Sequence, residues 1–174
     1  MNSAEIIEAL RQKISVTSGR HLYGVLGTYA QLDTFADHLH QVKTFDGIQF
    51  PKPVNVNRGI LEAIPDEEFK DLAENEAKYP EPTAAHVNRA FKSFLTETLN
   101  KTNIAVLRDL EMLFAYNMEM NLLRTMATDE KKVLLLLPGK RAGDRIAMFH
   151  EMGESGFHLP TNLIADNHLW ELRE

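Results

Sequence analysis

The chain has no cysteine, a single tryptophan and no long apolar run. Without cysteine there is no disulfide, no cysteine nucleophile and no cysteine-held zinc or iron–sulfur cluster. The longest unbroken aliphatic stretch, "VLLLLP", falls far short of the ~20 residues that cross a bilayer. The opening "MNSAEIIEALRQK" is polar and amphipathic and lacks the apolar core of a signal peptide. These absences lead to the expectation of a cytoplasmic protein with no membrane partner. Basic charge is also scarce: 19 Lys and Arg stand against 25 Asp and Glu, a net charge of −6. That balance argues against strong direct binding of nucleic acid. No G-x-S-x-G elbow occurs. His38 and His40 are two apart on a helical segment and face different ways, and His150, His158 and His168 lack a carboxylate at ligand spacing. No metal site and no cofactor is therefore expected.

What is present suits one domain spanning residues 1–174. Ile6, Ile7, Leu10 and Ile14 give a short amphipathic helix after Ser3. "HLYGVLG" (21–27) reads as a strand, and residues 30–42 as a helix with Leu32, Phe35, Ala36, Leu39 and Val42 on one face. "KPVNVNRG" (52–59) alternates valine and asparagine and reads as a short strand ending at Gly59. Residues 60–82 are acidic and proline-punctuated, which marks an insertion or mobile segment; Pro65 opens a helix there and Pro80 and Pro82 end it. Thr83 then caps a long helix. "NIAVLRDLEMLF" and "KKVLLLLPG" begin as strands without polar alternation, the mark of burial on both faces. "AGDRIAMFHEMG" reads as a helix, and the chain finishes with one or two short strands. Apolar strands alternating with amphipathic helices predict an α/β fold, a three-layer α-β-α arrangement around a mainly parallel five-stranded sheet.

The junction after the first strand poses the functional question. The P-loop pattern G-x-x-x-x-G-K-[ST], laid on Gly27, covers "GTYAQLDT". Gly27 and Thr34 match its first and last positions. Leu32 stands in place of the second glycine and Asp33 in place of the lysine. Asp33 puts a negative charge where phosphate oxygens would lie. At ~4 Å a pair of unit charges is worth about 4 kcal/mol at an effective dielectric of 20, so the reversal removes phosphate affinity. The octet is either a P-loop remnant or an ordinary strand–turn–helix junction.

The second nucleotide element would end a buried strand with a magnesium-ordering acid. Here "IAVL" is followed by Arg108, with Asp109 and Glu111 beyond it as a magnesium pair or as capping and surface groups. After the next strand come Pro138, Lys140 and Arg141, whose charges are solvated or meet a partner's carboxylates. Asp33, Arg108, Lys140 and Arg141 thus form a candidate interaction edge of mixed charge.

"PVNVN", the long helix, "NIAVLRDLEMLF", the methionine-rich segment and "KKVLLLLPG" resemble the small P-loop protein BrxF of BREX phage-defence systems, over roughly residues 20–140. "PGKRAGDRIAMFHE" also resembles the ending of the BREX protein BrxB. The resemblance implies a P-loop NTPase-like fold whose nucleotide site has degenerated. The phosphate-binding lysine maps onto Asp33 and the acidic metal residue onto Arg108. It implies a non-catalytic component of a phage-defence assembly. Partners would be a large ATPase, a methyltransferase or a phosphatase-like component, or further copies of this chain. An NTPase using the backbone of residues 28–31 with Thr34 and Asp109 or Glu111 is the alternative, as is an unrelated doubly wound regulatory domain. Strand order separates these ancestries: 5-1-4-3-2, with the third strand expected beside the first, favours a P-loop fold; 2-1-3-4-5 favours the regulatory domain.

Overall fold

The computed structural model describes residues 1–153 and 156–173. Helix α1 (Ser3–Ile14) starts from Asn2, not Ser3. The Asn2 side chain accepts from the Glu5 N–H while the Glu5 carboxylate accepts from the Asn2 N–H, a reciprocal capping box. Strand β1 (Leu22–Gly27) leads into α2 (Tyr29–His40), which Thr28 and Gln31 cap in the same reciprocal way. The expected strand at 52–59 shrinks to β2 (Val54–Asn55). The Asn55 side chain accepts from the Arg58 N–H and turns the backbone into α3 (Val56–Ala63). Gly59 lies inside that helix, against Phe94, whose ring a Cβ at this position would overlap.

The acidic stretch is helical as well. Helix α4 (Asp66–Asn75) follows Pro65 and buries none of its residues. It stops at Asn75, so Pro80 and Pro82 do not end it. They open α5 (Pro80–Lys101), where a missing N–H costs nothing in the first turn. Thr83 is therefore no cap; it is buried in that first turn and its hydroxyl donates to the Tyr79 carbonyl. Strand β3 (Ile104–Arg108), short helices α6 (Glu111–Ala115) and α7 (Asn121–Met126), and β4 (Lys132–Ala142) complete the middle of the chain.

The helix expected over "AGDRIAMFHEMG" is absent. Gly143, with φ +64°, and Asp144 make a two-residue turn, and β5 (Arg145–Met148) pairs antiparallel with the end of β4. A Cβ on Gly139 would come within 2.7 Å of the Ala147 carbonyl oxygen, so this close pairing requires glycine. Only a 3-10 turn, His150–Met152, follows. A second one, Asp166–His168, leads into β6 (Leu169–Glu171). The sheet therefore has six strands rather than five.

Five of them are parallel, in the order β2-β3-β4-β1-β6. Numbered along the chain without the β5 hairpin strand, that is 5-1-4-3-2 read from the other edge. The strand beside the first is the fourth, not the third. Alternate residues face opposite layers, as the period of a strand requires. Leu22, Leu26, Ala105, Leu107, Val133, Leu135 and Leu137 pack with Val56, Ile60, Val87, Phe91 and Leu95. Tyr23, Val25, Ile104, Val106, Leu134 and Leu136 pack with Ile6, Leu10, Leu32, Phe35 and Leu39. Helices α1 and α2 cover one side; α3, α5, α6 and α7 cover the other. No helix is long and apolar enough to cross a membrane among the described residues.

His21, just ahead of β1, is 2% exposed, and its Nδ1 lies 2.7 Å from the Tyr23 hydroxyl. Burial lowers its pKa from 6.5, helped by the Lys132 charge; burial also lowers that of His168. The fold thus favours neutral imidazoles, while the unfolded chain takes up protons as pH drops below about 6.5. Stability is complete above that pH and is lost as pH falls through the depressed folded-state values. Thermal melts at pH 7.5 and 5.5 are expected to show the lower midpoint at pH 5.5, with a smaller difference in His21→Gln. An equal difference in that variant would show that His21 does not carry the effect.

Candidate functional site

Ligands of open parallel sheets sit beyond the carboxyl ends of the strands, where the chain order reverses. In this fold that place lies past Gly27 of β1, Arg108 of β3 and Pro138 of β4. The fold brings Asp33 and Arg108 together there in packing too tight for a ligand: the space between Tyr29, Leu32, Asp33, Arg108, Asp109, Leu136 and Pro138 holds a cavity of about 10 Å³.

 That is about the room one water needs, against the several hundred Å³ of an ordinary small-molecule site.

Charge pairing fills the crevice. Arg108 Nη1 lies 2.9 Å from Asp33 Oδ1, and Arg108 Nε lies 2.9 Å from Asp109 Oδ2. Asn55 Nδ2 donates to the same Asp109 oxygen at 2.8 Å. These bonds hold Asp109 at φ +55°, a left-handed conformation that aspartate tolerates better than most residues. Arg108 and Asp33, two members of the expected interaction edge, are thus partners of one another.

Glu111 is equally engaged. Its two oxygens accept from the Tyr29 hydroxyl at 2.8 Å and from Asn57 Nδ2 at 2.7 Å. Asn57 also accepts from the Met112 N–H, and its own N–H donates to the Asp109 carbonyl, so one side chain ties α3 to the β3–α6 turn. Burial, and then the Glu111 carboxylate, raise the Tyr29 phenol above its ordinary pKa and keep it a donor. Among the described residues no group of three or more His, Asp or Glu is placed to hold a metal.

The backbone that would cradle phosphate is also committed. Tyr29 is the first residue of α2, and its N–H donates to Glu151 Oε2 at 2.8 Å. A carboxylate from the 3-10 turn thereby takes the place at the helix start that favours an anion. The Gln31 N–H goes to Thr28 Oγ1, and the Thr34 hydroxyl donates back to the Ala30 carbonyl at 3.0 Å. Thr34 is exposed and contributes nothing to the crevice. Gly27 ends β1, where a Cβ would meet Gln31 Oε1 and Leu172 Cδ1 at 3.2 Å, and it does not line the crevice.

Lys140 and Arg141 lie apart from this network, on the β4–β5 hairpin. Both are exposed, and successive strand residues send them to opposite faces. Sequence reasoning missed Tyr29, Asn55, Asn57 and Glu151. The two asparagines were visible in "VNVN", but their caps and bridges depend on a helix that the valine alternation concealed. No protein-family model, curated protein or solved structure matches this chain.

Proposed function

We propose that this chain is a non-catalytic, P-loop-like domain that acts by binding other proteins, in a bacterial phage-defence assembly of the BREX kind. The observation that carries the non-catalytic reading is the Asp33–Arg108–Asp109 network in a crevice of about 10 Å³. A triphosphate entering there would have to break two ion pairs and displace the Glu151 carboxylate from α2. The 5-1-4-3-2 strand order and the place of "GTYAQLDT" at the β1–α2 junction support P-loop ancestry. The defence role rests on the BrxF resemblance of residues 20–140.

Calorimetry with magnesium and ATP or GTP is expected to give no saturable heat. Pull-downs with the large ATPase, methyltransferase and phosphatase-like components of such a system are expected to recover at least one of them. A magnesium-dependent nucleotide isotherm would replace this reading with that of an NTPase using a non-standard site. Failure to associate with any component would remove the defence-assembly role.

A further inference from the structure

A groove of about 890 Å³ runs along the sheet side opposite α1 and α2, where the described residues between β5 and β6 form two 3-10 turns and no long helix. Its apolar lining includes Leu22, Ile146, Leu159 and Ile164. Three arginines border it: Arg20 just ahead of β1, and Arg141 and Arg145 on the hairpin beyond the other end of that strand. All three are exposed, and none of their guanidiniums has an ion-pair or hydrogen-bond partner among the described residues. The one bond at Arg141 uses its backbone N–H, which donates to Glu171. The acids in the lining, Asp144 and Asp166, pair with none of them.

We propose that this groove binds an extended acidic segment of a partner protein, with apolar side chains on its floor and carboxylates on the arginines. The cations flank the six residues of β1, which span roughly 20 Å at about 3.3 Å per residue. A single compact anion cannot reach both ends, whereas six to eight extended peptide residues can. Guanidinium forks match carboxylates in pairs of parallel hydrogen bonds. A polyphosphate chain has no apolar groups to cover Leu22, Ile146, Leu159 and Ile164, whereas a peptide supplies apolar side chains between its carboxylates. The groove is separate from the closed crevice and serves the partner-binding role through different residues.

The test is fluorescence anisotropy with a labelled octapeptide alternating Asp and Leu, a lysine–leucine octapeptide, and an eight-nucleotide single-stranded DNA. Saturable binding of the acidic peptide is expected, weakened about tenfold by Arg20→Glu and by Arg141→Glu with Arg145→Glu. Lys92→Glu, on α5, is expected to change nothing. Unaltered melting of the variants would confirm that the fold is intact. No binding of the acidic peptide, or binding indifferent to the arginine replacements, overturns the proposal. Tighter arginine-dependent binding of the DNA overturns it in favour of a polyphosphate ligand. Loss of partner recovery in pull-downs without loss of peptide binding would count against the assembly role alone.

Discussion

Replacing Phe91 with alanine is expected to cost about 3–5 kcal/mol of folding stability. Phe91 is 0% exposed and lies in the larger core with Val56, Ile60, Val87 and Leu95. Removing the ring takes a fully buried aromatic side chain out of this core and leaves a cavity. At 2–4 °C per kcal/mol for a domain of this size, the melting midpoint should fall by about 6–20 °C. Phe69→Ala is the matched comparison, because Phe69 is 45% exposed on α4, a helix without buried residues. It should change stability by no more than about 0.5 kcal/mol. Equal losses in the two variants would mean that α4 is packed as firmly as α5.

Arg108→Asp is expected to lower stability by about 2 kcal/mol, between the values of exposed and buried ion pairs. The Arg108 side chain is 36% exposed and holds Asp33 and Asp109 on opposite sides. Reversal removes both pairs and brings three carboxylates together, so added salt should return part of the loss. The exchanged pair, Arg108→Asp with Asp33→Arg, should recover more than half of it. Thermal or urea unfolding of the single and double variants measures this coupling. A double variant no more stable than Arg108→Asp would show that the two side chains do not act together.

That pair also shows how far the sequence could be read. Asp33 and Arg108 each stood out as the wrong charge for a phosphate site. Nothing in their spacing stated that each compensates for the other, because the contact depends on α2 and β3 meeting at the sheet end. The Glu151 contact with Tyr29 was less legible still, since it joins residues 122 apart along the chain. Strands buried on both faces were readable from unbroken apolar runs, as in β3 and in the first part of β4. The hairpin at 142–148 was hidden because Ile146 and Phe149 sit three apart, as on a helix. The Gly143–Asp144 dipeptide was the stronger signal, since glycine supplies the positive φ that a two-residue turn needs.

The neighbours of β1 have a consequence for synthesis of the chain. Leu22 pairs with Val133 and Gly24 with Leu169, so both partners of the first strand are made more than about a hundred residues later. At roughly 5–20 residues per second, "LYGVLG" waits about 5–20 s before β4 is available. β3 and β4 meet over a much shorter stretch, Ile104 with Lys132, and close first. β1 leaves the ribosome ahead of both its neighbours and is therefore among the last strands of this sheet to find its place, inserted between two that follow it.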